Sequence, residues 1–283
     1  MALPWIIGFV FFALWPILQS LYYSFNAYDV FNPPVWTGLA NYRELFADDV
    51  FATSLANTVY YTVISVPLQI VVALLLAFLM TSRIRGVPVF MALYYLPSVI
   101  AGVAVSLIWK YLFQSDIGIF NTLLGYVGVG GPPWLDSVLW SKPSLILLST
   151  WQVGTIMIIY IAAIKNIPRD YYDAATIDGA GPLRQFIRIT IPLISPLVFF
   201  TVVIRLIDSF KIFTEVWALT YDNPMPAGGP ARSTLMLVVY IFQNAFSTFR
   251  MGYASALSWV LLVIVLVLTL ANFRMAKAWV HYD

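Results

Sequence analysis

The sequence predicts an all-α integral membrane protein with six transmembrane helices. Of its 283 residues, 61% are hydrophobic and only 10% are charged, whereas soluble domains carry about 25% charged residues. Several apolar runs have the length of about 20 residues that a helix needs to cross a bilayer. Because lipid offers no hydrogen bonds to the backbone, such runs are expected to be helices. Most of the chain therefore consists of spans and the loops between them.

We predict one transmembrane domain over residues 1–283, with spans at residues 3–25, 55–80, 87–113, 145–164, 191–219 and 254–273. The third and fifth spans are long enough to kink, and they contain Pro97, Pro192 and Pro196. A further apolar run at residues 235–246 is too short to cross the membrane and is expected to re-enter it or to lie at its surface. The first run lacks the basic start of a secretory signal and is too long for one, so we interpret it as a span.

The distribution of basic residues predicts the orientation. One set of short loops contains Arg83, Arg85, Lys165, Arg169, Arg184, Arg188, Arg274 and Lys277. The opposite loops carry most of the acidic residues. Since cytoplasmic loops are enriched in Lys and Arg, the basic set is expected to be cytosolic. With an even number of spans, both termini are then cytosolic as well.

The composition argues against several classes of protein. A net charge of +2 gives no indication of a nucleic-acid partner. The absence of cysteine excludes disulfides and thiolate metal sites, and the single histidine, His281, argues against imidazole metal sites and a Ser-His-Asp set. No Gly-x-x-x-x-Gly-Lys-Ser/Thr motif is present, so we do not expect the chain to hydrolyse ATP. We therefore predict no enzyme activity, no catalytic residue, no bound metal and no cofactor for this chain.

The loop at residues 165–190 contains more helix signals than a simple connector needs. Pro168 is suited to the first turn of a helix, and Asp170 and Asp173 fall in early turns of the same helix, where carboxylates complement its dipole. Gly179 can end that helix in a left-handed conformation, and Pro182 can begin a second one. The loop is therefore predicted to form two short helices separated by a glycine break, exposed for docking to another protein.

The same loop resembles the cytosolic signature of the permease subunits of type I ATP-binding-cassette (ABC) importers, within them the maltose-permease-like branch for sugars. That signature, Glu-Ala-Ala followed by Asp-Gly-Ala, is matched by Asp173, Ala174, Ala175, Asp178, Gly179 and Ala180. Asp173 stands where the family usually has Glu, which keeps the charge and shortens the reach. Further segments that resemble the family occur in the family's order at residues 38–42, 96–97 and 228–230. A short insertion at residues 221–227 precedes the last of these segments.

The resemblance implies a fold and a set of partners. The fold would be that of an ABC type I importer permease in the bacterial inner membrane, with residues 173–180 forming helices that couple to an ATPase. The partners would be a second, homologous permease, two cytosolic ATPase subunits that bind ATP and Mg²⁺, and an extracytosolic binding protein that delivers the substrate.

Charged side chains in the fifth span mark candidate substrate contacts. Arg205, Asp208, Lys211 and Glu215 recur at helical spacing, so one helix would place them on one face, and such a face avoids lipid. That face either lines a translocation path or forms a ladder of ion pairs that locks the helix in place. By the resemblance, the positions of sugar contacts in this branch correspond to Asp208, Ser209 and Ile212.

Polar and aromatic residues in spans three and four are further candidates, because aromatic faces stack on sugar rings while amides and hydroxyls bind their edges. The alternative role for these residues is helix packing. Together with the fifth span, the candidate path residues are Asp208, Ser209, Lys211, Ile212, Trp151, Gln152, Thr155, Ser98 and Gly102.

The sequence favours a subunit that forms half of the translocation path for a di- or oligosaccharide. Two alternatives stay open. Arg205 and Lys211 could meet the phosphate of glycerol-3-phosphate or of another polyol or phosphate ester. In an ion-coupled secondary transporter, Asp208 and Glu215 would instead carry protons or sodium ions.

Overall fold

A computed structural model describes residues 3–82, 86–221 and 227–277. The helices of the first half are α1 (Leu3–Ser24), α2 (Ala40–Phe46), α3 (Asp49–Thr81), α4 (Val87–Val99), α5 (Gly102–Leu112) and α6 (Ile119–Tyr126). Those of the second half are α7 (Ser141–Trp151), α8 (Gly154–Lys165), α9 (Arg169–Ile177), α10 (Pro182–Leu193), α11 (Ser195–Phe210), α12 (Thr214–Thr220), α13 (Leu237–Ser247) and α14 (Met251–Ala276). A short 3₁₀ turn covers Pro230–Arg232. Two short strands, β1 (Asn26–Ala27) and β2 (Val35–Trp36), pair antiparallel.

The described helices account for six potential spans. Three helices, α1, α3 and α14, are each long and apolar enough to cross a membrane. Three bent pairs of helices are long and apolar enough when each pair is taken as one span: α4 with α5, α7 with α8, and α10 with α11. The all-α membrane fold is therefore confirmed. Of the residues discussed above, Arg83, Arg85, His281 and most of the insertion at 221–227 lie outside the described residues.

The interiors of several spans differ from the prediction. The third span is not one helix, because α4 and α5 meet at 106° across an extended backbone at Ile100 and Ala101. Pro97, which we expected to cause a kink, lies inside α4 instead. In the fifth predicted span, α10 and α11 meet at 71° between Pro192 and Pro196, where a kink was predicted. The span differs from the prediction further on, because α11 ends at Phe210 and a separate helix, α12, begins at Thr214.

The second predicted span begins earlier than residue 55. Helix α3 starts at Asp49, because the carboxylate of Asp48 accepts a hydrogen bond of 2.8 Å from the backbone N–H of Val50 and caps the helix. Helix α3 is the centre of the bundle and packs against α7, α8, α11 and α13. On its face towards α8, Ala73 and Ala77 are fully buried, and such small side chains let helices approach closely in a membrane.

The contact between α8 and α4 depends on one glycine. A Cβ atom on Gly154 would lie 2.1 Å from the carbonyl oxygen of Tyr94, far inside van der Waals contact. Because the neighbouring atoms belong to the backbone of α4, no side-chain rotation could relieve the clash. Gly154 therefore fixes how the second half of the fourth span sits against the first half of the third.

Candidate functional site

A polar cavity of about 240 Å³ lies among the helices of the bundle. It is bounded by α3, by the end of α7, by the last turns of α11 and by the segment that leads into α12. Its polar lining consists of Tyr61, Gln69, Ser149, Gln152, Arg205, Asp208, Ser209, Lys211, Thr214 and Glu215. Such a concentration of polar groups between apolar helices is expensive unless it serves a ligand path.

Helix breaks place these side chains around the cavity. Gln152 caps the end of α7, where the axis bends by 42° into α8. After Phe210 the chain leaves the helical conformation and passes Ile212 and Phe213 before α12 begins. Non-helical backbone at membrane depth is tolerated where it lines a cavity, because its free N–H and C=O groups can be satisfied there. Both breaks therefore serve the same cavity.

The charges in the cavity include both signs. Lys211 and Asp208 form an ion pair of 3.5 Å with half-exposed side chains. Within the described parts of the chain, no other ion pair involves Arg205, Asp208, Lys211 or Glu215. Lys211 caps α11 and Glu215 lies in the first turn of α12, so the four residues do not share one helical face. The expectation of a continuous charged face was wrong, and the alternative of an ion-pair ladder reduces to one pair.

The structure brings some of the predicted path residues together and leaves others apart. Those in the cavity lining are Gln152, Asp208, Ser209, Lys211 and Ile212. The Ser209 hydroxyl lies 2.9 Å from Thr62 Oγ1 on α3 and 2.8 Å from the carbonyl oxygen of Leu206. Ser209 thus joins two helices as well as facing the cavity.

The other predicted residues lie outside the lining. The indole of Trp151 contacts that of Trp109 edge-on, at 5.6 Å between ring centroids. Thr155 is exposed near the start of α8. Ser98, near the end of α4, has a buried hydroxyl with no hydrogen-bond partner among the described residues. Gly102 begins α5 beside α12.

Sequence reasoning missed the contribution of α3. Tyr61 and Gln69 of α3 line the cavity, and neither is among the predicted path residues. A signal was present, since Asn57, Tyr61, Ser65 and Gln69 follow one another at intervals of four residues and so lie on one face of the helix. That polar stripe is buried within the bundle.

The loop at residues 165–190 forms the predicted helix–glycine–helix arrangement. Gly179 adopts φ +76° between α9 and α10. The side-chain amide of Gln185 donates a 2.9 Å hydrogen bond to Thr176 Oγ1, and the hydroxyls of Tyr172 and Thr190 lie 2.9 Å apart. These bonds tie α9 to α10, so that the two short helices form one unit.

The signature residues contribute small and acidic side chains to the exposed surface of this helix–glycine–helix loop, beside large apolar side chains such as Ile177 and Leu183. Asp173, Ala174, Asp178 and Gly179 are exposed, whereas the other two residues of the signature, Ala175 and Ala180, are partly buried.

The loop is directly connected to the polar cavity. The ring of Phe186 in α10 packs against that of Phe78 in α3, with 4.6 Å between centroids. Helix α10 then bends into α11, whose last turns carry Asp208 and Ser209 into the cavity. One continuous chain segment therefore joins the loop to the cavity.

Broken spans around a polar cavity, joined to an exposed loop, are features expected of a membrane transport subunit. The family model described as "Binding-protein-dependent transport system inner membrane component" matches residues 50–279. The chain belongs to this family, and the resemblance to ABC importer permeases is confirmed. It is therefore a multi-pass inner-membrane component of a transport system.

Individual relatives agree with the family. The chain is 42% identical to "Probable ABC transporter permease protein YesP" of Bacillus subtilis (strain 168), over 99% of this chain and 90% of the relative. It is 36% identical to "Lactose transport system permease protein LacF" of Rhizobium radiobacter, over 94% of this chain and 89% of the relative. The solved structure of a bacterial ABC transporter involved in the import of the acidic polysaccharide alginate matches with a TM-score of 0.85 at 25% identity, covering 98% of this chain and 94% of the other.

Proposed function

We propose that this chain forms half of the translocation path for a di- or oligosaccharide in an ATP-driven importer. The observation that carries the proposal is the continuity between the exposed helix–glycine–helix loop and the helix that ends in the polar cavity. A transporter driven by a separate ATPase needs such a link, because the chain has no nucleotide-binding motif of its own. The relatives named for lactose and alginate transport support a saccharide as the substrate.

The chemistry of the cavity suits a sugar. Tyr61 offers an aromatic ring, and Gln69, Gln152 and Ser209 offer amides and a hydroxyl that can bind sugar hydroxyls. Two cations and two carboxylates leave the lining without net charge, which favours a hydroxyl-rich ligand over a phosphate ester. At about 240 Å³ the cavity lies below the range of about 300–1,000 Å³ for complete ligand sites. A homologous second permease would supply the other half.

The proposed mechanism uses rigid-body motion. The basic loops and both termini lie in the cytosol, and two ATPase subunits that bind ATP and Mg²⁺ dock against the loop at Asp173 to Ala180. Closure of the ATPase dimer moves the loop, and α10 and α11 carry the motion to the cavity, which then opens to the outside. An extracytosolic binding protein releases its sugar into the open cavity, and hydrolysis of ATP returns the bundle to the inward-facing state.

Two glycines in the loop provide a matched pair of variants. Gly179 has φ +76°, whereas Gly181 has φ −71°, and a Cβ atom would meet nothing within 4 Å at either position. Valine at residue 179 would therefore be strained by its backbone conformation alone, at a cost of about 1–2 kcal/mol. Valine at residue 181 would adopt its observed conformation without strain, since extended backbone is preferred before a proline.

The experiment measures substrate-stimulated ATP hydrolysis and sugar uptake by the complete complex in proteoliposomes. We expect Gly179→Val to lower both activities about 5- to 30-fold, which is the factor that 1–2 kcal/mol of loop strain produces. Gly181→Val should retain activity close to that of the wild type. Equal activity of the two variants, with both complexes intact on purification, would refute the proposed coupling role of the loop.

A further inference from the structure

A second cavity, of about 310 Å³, lies at the base of the helix–glycine–helix loop. It opens to the surface and is lined by the end of α3, the end of α8, the first residues of α9 and both halves of α10. We call it the basic pocket, and its polar lining includes Thr81, Ser82, Lys165, Arg169, Tyr172 and Thr190. The transport mechanism proposed above gives this pocket no role.

The charge of the basic pocket is unbalanced. Lys165 and Arg169 are the charged residues of its lining, and no Asp or Glu lines it within the described part of the chain. Neither cation forms an ion pair with a carboxylate of residues 3–82, 86–221 or 227–277. The polar cavity, in contrast, balances its cations with Asp208 and Glu215. The basic pocket is therefore complementary to an anion.

Hydrogen-bond donors in the pocket suit a phosphate group. The guanidinium of Arg169 presents a fork of N–H donors that fits two oxygens of one phosphate, and the ammonium of Lys165 adds up to three donors. The hydroxyls of Tyr172 and Thr190 form one hydrogen bond with each other, at 2.9 Å. That bond uses one of the two hydroxyl protons, so the other can be donated to an anion. The hydrogen-bond donors available to a bound anion therefore come from α8, α9 and α10.

The remaining walls of the pocket are apolar. Phe78, Ile164 and Phe186 lie beside the cations, at the ends of helices that cross the membrane. A free phosphate ion gains nothing from such walls, whereas the glycerol and first acyl carbons of a phospholipid would be desolvated against them. Basic pockets between transmembrane helices on the cytoplasmic side are typical binding sites for anionic lipid headgroups.

We propose that the basic pocket binds the phosphate of an anionic phospholipid from the cytosolic leaflet. The proposal shares with the proposed function only the cytosolic position of this loop. Since the pocket lies between α3 and the two helices of the loop, a bound lipid braces the loop against the bundle.

The experiment measures lipid binding to the purified full-length chain in detergent by native mass spectrometry. The probes are dioleoylphosphatidylglycerol, dioleoylphosphatidylcholine and inorganic phosphate. The test variant is Lys165→Gln with Arg169→Gln, and the control is Arg184→Gln with Arg188→Gln. The control removes the same charge from the same loop, at two exposed residues outside the pocket lining.

We expect phosphatidylglycerol to bind about 30-fold more weakly to the test variant, since each basic group near an anionic headgroup contributes about fivefold. The control should bind as the wild type does, and a variant with Lys165→Arg and Arg169→Lys should retain binding if the site holds a phosphate. Phosphatidylcholine, which has no net charge, should bind weakly to all of them.

Several results would overturn the proposal. Equal loss of binding in the test variant and the control would indicate general surface charge, and undiminished binding in the test variant would place the lipid elsewhere. Binding of inorganic phosphate without phosphatidylglycerol would exclude a lipid as the source of the phosphate. This assay requires no ATPase, so a negative result for lipid binding leaves the proposed coupling role of Gly179 unaffected. A negative result for the Gly179 variant likewise leaves the proposed lipid site unaffected.

Discussion

Replacing Gly154 with alanine should force helices α8 and α4 apart. The added Cβ would lie 2.1 Å from the carbonyl oxygen of Tyr94 and 2.8 Å from Cα of Tyr95, whereas ordinary van der Waals contacts lie at 3.4–4 Å. The two helices would have to separate by about 1 Å, and overpacking of this kind typically costs about 1–3 kcal/mol. The same displacement would shift Gln152, which lies just before Gly154 and lines the polar cavity.

The assay is thermal unfolding of the detergent-purified protein, followed by loss of its monodisperse chromatographic peak. We expect Gly154→Ala to lower the apparent Tm by about 2–10 °C. The control is Gly125→Ala in α6, where an added Cβ meets nothing within 4 Å and alanine is the better helix former. If Gly154→Ala unfolded at the same temperature as Gly125→Ala, the inferred backbone contact between α4 and α8 would be wrong.

Three further variants test the cavity and the cap of α3. Ser209→Ala should lower sugar uptake about fivefold through loss of one hydrogen bond to the substrate. The control is Thr62→Val, which removes the hydrogen bond between Thr62 and Ser209 at a residue that does not line the cavity. Equal effects of the two variants would show that Ser209 serves helix packing and does not bind the substrate. Burial alone would raise the pKa of Asp48, but hydrogen bonds from the Tyr240 and Tyr253 hydroxyls and from backbone N–H groups outweigh it and hold the pKa below its ordinary value. The Asp48 carboxylate therefore stabilises the fold above its ordinary pKa, and this stabilisation is lost as the pH falls through the lowered pKa. The apparent Tm of the wild type should drop below about pH 4, and the apparent Tm of Asp48→Asn should change less. Parallel pH profiles of the two proteins would contradict this reasoning.

Local signals in the sequence were sufficient for the helix–glycine–helix loop. Pro168, Gly179 and Pro182 each act through backbone preferences that do not depend on the rest of the fold. The number of potential spans was also predictable, because hydropathy depends on composition alone. The bend between α10 and α11 was predictable from Pro192 and Pro196, but the other breaks inside the spans were not. The chain bends at Ile100 and Ala101 and leaves the helix after Phe210 without a proline at either position, so tertiary packing decides these breaks.

The polar cavity was predictable only in part. Gln152 and Ser209 were identified by polarity and by resemblance, whereas Trp151 and Thr155, on either side of Gln152 in the sequence, lie outside the lining. Successive residues of a helix are rotated by about 100°, and an error in the position of a break redirects each of them. Tyr61 was missed because a tyrosine in a span is commonly an anchor or a packing residue, and its role depends on which helices surround α3.

The most direct test of an ATP-driven importer is to identify the energy source of transport. The chain is reconstituted in sealed proteoliposomes with its second permease, its ATPase subunits and its binding protein, and uptake of labelled saccharide is measured with and without ATP. We predict that uptake requires ATP and the ATPase subunits and is unchanged by a proton uncoupler. Uptake by this chain without an ATPase, abolished by the uncoupler, would contradict the account.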